Sequence, residues 1–178
     1  MVYEEKTISS EILYKGKILN LRKDKIFAVG EQISHREIIE HNGGVALAAI
    51  TDEGKMVLVR QFRKAAEKVI LEVPAGKIDP GEDPFHSAVR ELKEETGYTA
   101  EKIEHLTSFY SSVGYSEEII HLYMATGLTP GETEFDSNEA LEILEYDLDS
   151  LKKMVLDGKI EDGKTIAAIL IAAAKKGL

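Results

Sequence analysis

The most constraining feature of this 178-residue chain is a polar turn followed by a carboxylate-rich helix within residues 76–98, GKIDPGEDPFHSAVRELKEETGY. Its Asp79-Pro80-Gly81 segment is typical of a turn, because proline presets φ and glycine tolerates a positive φ. Asp83 suits the N-cap of a helix, Pro84 suits the first helical position, and Gly97 is a natural C-terminal stop. The sequence therefore predicts a helix between Asp83 and Gly97.

This helix is predicted to carry an apolar stripe and a separate acidic sector. The apolar residues with the i, i+3, i+4, i+7 spacing of a core-facing stripe are Phe85, Ala88, Val89 and Leu92. Glu91, Glu94 and Glu95 are predicted to lie about a third of a turn away from the stripe. Glu91 and Glu95 repel each other by about 0.2–0.5 kcal/mol in a bare helix, and Arg90 offsets part of this repulsion. A hard cation such as Mg²⁺ or Mn²⁺ would offset more, which indicates a divalent metal site and chemistry on phosphates.

A glutamate-rich helix face is often only solvated, so the helix alone leaves that alternative open. The full spacing is more specific: Gly76, five residues, Glu82, seven residues, and then the run RELKEETG at positions 90–97. This pattern resembles the Nudix box of the Nudix hydrolase family at each fixed position. Tyr98 departs mildly from it, because the family usually has an aliphatic residue there.

The resemblance implies a divalent-metal site built on the box. Glu91 and Glu95 match the principal metal ligands, and Glu94 adds to the acidic cluster. The backbone carbonyl of Ala75, just before the box glycine, often joins them in this family. We expect Mg²⁺, with Mn²⁺ as the alternative, bridging phosphate oxygens and activating water for attack at phosphorus.

The resemblance also implies roles for neighbouring charged groups in catalysis. Arg90 matches an arginine that orients a ligand glutamate, and Glu82 matches a structural glutamate. In related enzymes a loop before a late strand supplies an acid that binds metal or accepts the proton of the attacking water. Glu139 is our candidate, with Asp136 and Glu134 as open alternatives, and an ordinary solvated loop acid is the competing interpretation.

Three further segments resemble ADP-ribose pyrophosphatases, so that the resemblance covers nearly the whole chain. They are VRQFRKAAE at 59–67, LEVPAGKID at 71–79 and YSSVGYSEE at 110–118. The resemblance implies hydrolysis of ADP-ribose to AMP and ribose 5-phosphate. Val113 departs from it, because that subfamily usually has a proline at this position. Valine lacks the locked φ of proline, so a looser loop is expected and the substrate is less fixed than the chemistry.

Four residues match substrate-binding positions of that subfamily. Arg63 matches a phosphate-contacting arginine, and Arg60 lies beside it; a guanidinium fork suits a diphosphate. Arg36 matches an N-terminal arginine that reaches the ligand, sometimes across a dimer. Glu117 matches a glutamate that binds the terminal ribose hydroxyls. The alternatives are surface arginines paired with glutamates and a solvated loop carboxylate.

Composition narrows the class of protein and its partners. The chain has no cysteine, which excludes a disulfide framework, a thiolate zinc site and a cysteine nucleophile, and fits a reducing compartment such as the cytoplasm. The formal net charge of −10 argues against a nucleic-acid partner. The first residues, MVYEEKTISSEIL, are too polar for a signal peptide, and the apolar run Ile166–Ala174 is too short to span a membrane. We expect a small-molecule nucleotide substrate and a cytoplasmic location.

The periodicity of the chain predicts a mixed α/β fold, and the resemblance implies a Nudix α/β/α sandwich with a mixed sheet. The predicted strands are Ile18–Phe27, Ser34–His41, Val45–Ile50, Met56–Phe62, Val69–Val73, Ile103–Tyr110, Ile119–Ala125 and Ala140–Leu148. The predicted closing helices are Ser150–Leu156 and Lys164–Lys176. We divide the chain into an N-terminal β-region at 1–43 and a Nudix domain at 44–178. The resemblance implies a homodimer formed through the N-terminal strands, swapped or unswapped.

Two alternative functions stay open. The first is hydrolysis of another nucleoside diphosphate derivative, such as ADP-glucose, NADH, FAD or a dinucleoside polyphosphate, which the Val113 departure allows. The second is a non-catalytic regulator that binds ADP-ribose. Such a regulator is expected to lose carboxylates of the box, whereas this chain keeps Glu91, Glu94 and Glu95.

Overall fold

The computed structural model describes residues 2–133 and 140–178. Over these residues it contains ten strands and three α-helices. The strands are β1 (Lys6–Lys15), β2 (Asn20–Phe27), β3 (Ile33–Glu40), β4 (Gly44–Ile50), β5 (Lys55–Arg63), β6 (Lys68–Glu72), β7 (Ala75–Lys77), β8 (Thr99–Tyr110), β9 (Ile119–Thr129) and β10 (Glu142–Asp147). The helices are α1 (Pro84–Thr96), α2 (Leu148–Leu156) and α3 (Gly163–Lys175). No described helix has the length and apolar character needed to cross a membrane.

The chain forms two compact units: one contains the residues up to 43 together with 110–119, and the other contains 44–109 and 120–178. In the first unit, β1, β2 and β3 form an antiparallel sheet in that order. The segment 110–119 joins β3 through a parallel bridge between Ser116 and Ile39. The predicted strands at 18–27 and 34–41 are confirmed as β2 and β3. Strand β1 was not predicted; all ten of its residues are exposed in the single chain.

The second unit is built on a mixed seven-stranded sheet, counted over the residues that the structure describes. Its central order is β10-β5-β4-β9-β8, with β6 paired to β5 and β7 paired to β4. Strand β4 runs parallel to β9 and antiparallel to β5 and β7, which makes the sheet mixed as predicted. Strand β9 continues to Thr129, past its predicted end at Ala125.

Strand β4 explains why helices cover both faces of this sheet. All seven of its residues are buried, as expected for a strand covered on both faces. Alternate side chains point to opposite faces, so β4 contributes to two cores. Residues 45, 47 and 49 pack in the core that contains Ala88 and Leu92 of α1. Residues 46, 48 and 50 pack in the core that contains Leu151 of α2 and Ile169 of α3. The unit is thus an α/β/α sandwich.

Helix α1 confirms the predicted helix but corrects its predicted face. Ala88 and Leu92 are 0% and 1% exposed, whereas Phe85 and Val89 are each 43% exposed in the single chain. Glu95, predicted to lie away from the stripe, is only 4% exposed. The buried face is therefore centred on Ala88, Leu92 and Glu95, which are spaced i, i+4, i+7. The prediction placed only apolar side chains on the buried face, because hydrophobic periodicity does not indicate that a carboxylate will be buried.

Candidate active site

Local sequence fixes where the box helix begins and ends. The Asp83 carboxylate accepts a hydrogen bond of 2.9 Å from the backbone N–H of Phe85, with Pro84 in the first turn. Gly97 ends the helix at φ 73°, and its N–H donates to the Lys93 carbonyl at 2.8 Å. A φ in this region favours glycine. These caps set the register that brings the carboxylates of α1 to the backbone of β7.

Arg90 is the hub of the acidic cluster. Its Nε and Nη2 atoms donate to the two carboxylate oxygens of Glu82, each at 3.1 Å. Its Nη1 atom donates to Glu91 at 2.7 Å and to Glu94 at 2.9 Å. Nη2 also donates to the Lys77 carbonyl at 3.2 Å. One guanidinium thus ties three carboxylates and the end of β7 together, with the planar fork that such pairs favour.

The charge of this cluster shifts the pKa of both Glu82 and Arg90. The hydrogen bond from Arg90 lowers the pKa of Glu82 to about 2, and a hydrogen bond from the Asp79 N–H acts in the same direction. The hydrogen bond to Glu82 raises the pKa of Arg90 above its usual value, and Glu91 and Glu94 add to this effect. Both groups therefore stay charged across the neutral range, and the cluster is preassembled.

The backbone of β7 lies directly against two of the carboxylates. A Cβ added at Gly76 would lie 1.9 Å from the carboxyl carbon of Glu91, so only glycine leaves room for that carboxylate. The Ala75 N–H donates to Oε2 of Glu95 at 2.9 Å. Glu91 and Glu95 thus meet the same two-residue stretch of backbone, next to the Ala75 carbonyl that the resemblance names as a ligand.

These donors fit a hard divalent cation held in part by water and substrate. The described residues contain no group of three or more His, Cys, Asp or Glu side chains arranged to hold a metal ion by themselves. Mg²⁺ commonly uses one or two carboxylates and completes its shell with waters and substrate phosphates. The niche that Gly76 leaves for Glu91, and the buried Glu95 beside it, suit such a partial set.

Arg63 lies in a charged network that the sequence did not predict. Its Nε and Nη2 donate to Oε1 and Oε2 of Glu72 at 2.6 and 2.8 Å. Lys164, in the first turn of α3, also contacts Glu72 and lies 3.0 Å from Asp162. The Glu72 side chain is only 2% exposed. The acidic residue at the end of the apolar strand KVILE was only a weak indication of a buried ion pair. Nothing in the local sequence indicated Lys164 as its partner, because the two residues are 92 positions apart.

Burial and pairing act in opposite directions on Glu72. Burial raises the pKa of Glu72, but the hydrogen bond from Arg63 and the charge of Lys164 outweigh it, so the pKa lies below its ordinary value. The hydrogen bond to Glu72 raises the pKa of Arg63, and the negative charge of Glu95 contributes to the same shift. Both Glu72 and Glu95 therefore favour the charged form of Arg63.

The other three predicted substrate residues are each ion-paired. Arg60 is directly opposite Glu142 in the β5–β10 ladder, and its Nε donates to that carboxylate at 2.8 Å. Arg36, in the first unit, donates through Nε to Glu5 at 2.9 Å. The Arg60 pair matches the alternative of a surface arginine paired with a glutamate, and the side chains of Arg60 and Arg36 remain 48% and 43% exposed.

Glu117 and the segment that carries it are held within the first unit. Arg22 donates to Glu117 at 2.8 Å. The N–H of Ile39 donates to the Tyr115 carbonyl at 2.7 Å, and the Ile39 carbonyl accepts from the Glu117 N–H at 3.0 Å. Val113 is 83% exposed. Tyr115 and Glu117, which follow Val113 in this loop, are thus both hydrogen-bonded to the backbone of Ile39.

The three loop acids considered as the general base, Glu134, Asp136 and Glu139, lie outside the described residues. Of the remaining predicted site residues, the box carboxylates, Arg90, Ala75, Arg60 and Arg63 belong to the second unit, whereas Arg36 and Glu117 belong to the first.

The second unit is an α/β/α sandwich in which the carboxylates of α1 lie against the backbone of β7, and comparison with known proteins identifies the family. A family model described as the NUDIX domain matches residues 40–169. The chain therefore belongs to the Nudix family.

Individual relatives cover nearly the whole chain. The ADP-ribose pyrophosphatase of Bacillus subtilis (strain 168) is 43% identical over 177 residues, 98% of this chain and 96% of the relative. The methanol dehydrogenase activator of Bacillus methanolicus is 45% identical over 170 residues, 94% of this chain and 92% of the relative. A crystal structure of an ADP compounds hydrolase superposes with a TM-score of 0.86 at 21% identity, covering 99% of this chain and 97% of that one. This last similarity supports the fold.

Proposed function

We propose that this protein is a metal-dependent Nudix hydrolase that cleaves the pyrophosphate bond of ADP-ribose with water, giving AMP and ribose 5-phosphate. The observation that carries the proposal is the box cluster, in which Glu91 and Glu95 meet the Ala75-Gly76 backbone while Arg90 holds the neighbouring carboxylates. The 43% identity to an ADP-ribose pyrophosphatase supports the choice of substrate.

Glu91, Glu95 and the Ala75 carbonyl would hold Mg²⁺, or alternatively Mn²⁺. The bound metal supplies charge neutralisation on the diphosphate and lowers the pKa of the attacking water. Arg90 keeps Glu91 and Glu94 in fixed positions through its hydrogen bonds, so their orientation does not depend on the metal arriving. Such preorganisation lowers the cost of reaching the transition state.

Other residues of the chain would bind substrate and move the proton. Arg63 and Arg60 would contact the diphosphate oxygens, Glu117 would accept hydrogen bonds from the ribose hydroxyls, and Arg36 would contact the nucleotide. Glu139, with Asp136 and Glu134 as alternatives, would accept the proton of the attacking water. Loss of such a base typically lowers the rate by about 10²–10⁴-fold.

We further propose a homodimer formed through the N-terminal region at 1–43. The described part of that region exposes many large apolar side chains in the single chain, and patches of this kind commonly mark interfaces. The most exposed of them on β1, on β3 and in the turn after β1 are Ile8, Ile12, Leu13, Tyr14, Ile18 and Ile33, each at least 42% exposed. A symmetric dimer would cover the same patch on both subunits.

A panel of substrates tests the proposed activity. Phosphate release, coupled through a phosphatase, is measured with Mg²⁺ and ADP-ribose, ADP-glucose, NADH, FAD or diadenosine polyphosphates. We expect ADP-ribose to give the highest kcat/KM. A different best substrate would refute the ADP-ribose assignment, and tight ADP-ribose binding without turnover would favour the regulatory alternative.

The 45% identity to a methanol dehydrogenase activator favours one second candidate function, which is activation of a methanol dehydrogenase. The oxidation rate of a purified methanol dehydrogenase, measured with and without this protein, tests it. An unchanged rate excludes that function for the enzyme used.

A further inference from the structure

The buried carboxylate of Glu72 is the starting point, because a buried charge must be paired to be tolerated. Its side chain is 2% exposed, at the end of strand β6. It is shared between two cations that come from distant parts of the chain, Arg63 at the end of β5 and Lys164 in the first turn of α3. Lys164 also lies 3.0 Å from Asp162, so two cations and two carboxylates form one network around the buried Glu72.

The pairing with Glu72 orients the guanidinium of Arg63 but uses only some of its N–H donors. Glu72 accepts two parallel hydrogen bonds, from Nε and Nη2, which fix the plane of the group. A guanidinium has five N–H donors, so this bidentate pair leaves three for a ligand. The Arg63 side chain is 43% exposed, and the charge of Glu95 in the box acts on it. Arg63 therefore has both a fixed orientation and access to solvent.

Lys164 connects this pair to the segment that leads into the site. Its Nζ atom contacts Glu72 and lies 3.0 Å from Asp162, the N-cap of α3, and its side chain is only 14% exposed. The neighbouring Thr165 hydroxyl accepts from the Val73 N–H at 2.9 Å and donates to Asp162 at 2.5 Å. The start of α3 is thus hydrogen-bonded to Val73, which directly follows β6 and lies two residues before Ala75.

We propose that Glu72 and Lys164 are positioning residues that hold Arg63 in the orientation in which it binds the diphosphate of the substrate. The inference rests on the proposed function and deepens it. Lys164 acts by restraining Glu72: its Nζ atom contacts Oε2, the same oxygen that accepts from Nη2 of Arg63, and so limits rotation of the carboxylate that orients Arg63. Without the lysine, Glu72 keeps a single cationic partner and the pair gains freedom to rotate.

A double-mutant cycle tests whether Lys164 acts through Arg63. The variants are Lys164→Met, which keeps the length of the side chain and removes its charge, Arg63→Gln, and the double variant. Lys68→Met is the matched control, because Lys68 pairs with Glu161 at 2.6 Å on the exposed surface of the same unit, where both side chains are about half exposed. Steady-state hydrolysis of ADP-ribose gives KM and kcat for each.

We expect Lys164→Met to raise KM about tenfold while kcat falls less than about threefold, because the lost contact is made in both the ground and transition states. Arg63→Gln is expected to raise KM further, and adding Lys164→Met to it is expected to change KM by less than about twofold. The control is expected to match the wild type. Multiplicative effects in the double variant, or an unchanged KM in Lys164→Met, would overturn the inference.

A second measurement separates this inference from the proposed function and from a purely structural role. The Arg63 Nε–H resonance in ¹⁵N-labelled protein is expected to exchange slowly with water in the wild type and in Lys68→Met, and much faster in Lys164→Met and Glu72→Gln. Equal exchange in the wild type and Lys164→Met would overturn the inference even if ADP-ribose is a substrate. If no nucleotide is hydrolysed, the proposed function fails, and the exchange rates still decide whether Lys164 holds Arg63.

Discussion

Replacing Gly76 with alanine is predicted to separate activity from stability. The added Cβ would lie 1.9 Å from Cδ of Glu91, whereas carbon atoms approach favourably to about 3.5–4.0 Å. The carboxylate must therefore retreat by roughly 1.6–2 Å. Its atoms are the far end of a flexible side chain, so the displacement is expected to be tolerated by the fold. It would nevertheless remove a proposed metal ligand from its position.

The expected magnitudes follow from this geometry. A misplacement of about 1 Å can cost about 10²-fold in rate, so we expect Gly76→Ala to lower kcat/KM by at least about 10²-fold. Stability is expected to change by no more than about 1 kcal/mol, because Gly76 has no left-handed φ and alanine restricts the unfolded chain. For a chain of this size that corresponds to about 2–4 °C in the melting temperature.

The assay is ADP-ribose hydrolysis at saturating Mg²⁺, combined with thermal unfolding. Gly163→Ala is the matched control, because a Cβ there meets no atom within 4 Å. It is expected to keep full activity. Wild-type activity in Gly76→Ala would refute the reasoning that Glu91 needs this niche. A loss of activity with a large loss of stability would show that the niche serves folding instead.

Three further outcomes are expected. Because the hydrogen bond from Arg90 lowers the pKa of Glu82 to about 2 from an ordinary 4.5, its stabilisation is present above pH 4.5 and is lost as the pH falls toward 2. The urea midpoint should therefore fall less between pH 7 and pH 3 in Glu82→Gln than in the wild type, and equal falls would contradict this. Leu92→Ala, at a side chain 1% exposed, should lower the free energy of unfolding in urea by about 2–5 kcal/mol, and Val89→Ala should lower it by less than about 1 kcal/mol. Equal losses would indicate that Val89 is buried as the predicted stripe requires. Ile12→Glu should convert the proposed dimer to a monomer in light scattering, and an unchanged dimer mass would place the interface elsewhere.

The local features of the box were predictable because short-range chemistry determines them. The Asp83 cap and the left-handed Gly97 act within one turn of the helix, so sequence alone located both ends of α1. Strands with buried faces were predictable for the same reason, since alternation records burial. Strand β1 has no buried residue in the single chain, and β7 has only three residues, so neither left a periodic signal.

The parts of the site that could not be predicted depend on contacts between distant segments. Glu72 and Lys164 are 92 residues apart, and their pairing follows from the packing of α3 against the sheet. The burial of Glu95 likewise follows from the hydrogen bond with the Ala75 N–H, which becomes available only when β7 pairs with β4. In both cases a glutamate is buried at a position where hydrophobic periodicity predicts either a buried apolar side chain or an exposed charged one.

The most direct test of the central claim is chromatographic analysis of the products of ADP-ribose, with metal removed by chelation and then restored as Mg²⁺. Wild type is compared with Glu95→Gln, in which an amide oxygen can still accept from Ala75, and with Glu161→Gln, an exposed control. We predict equal amounts of AMP and ribose 5-phosphate, strictly dependent on Mg²⁺, from the wild type and the control, and a loss of at least about 10²-fold in Glu95→Gln. Undiminished product formation in Glu95→Gln, or turnover that persists without metal, would contradict the claim that the box carboxylates form a metal-dependent hydrolase site.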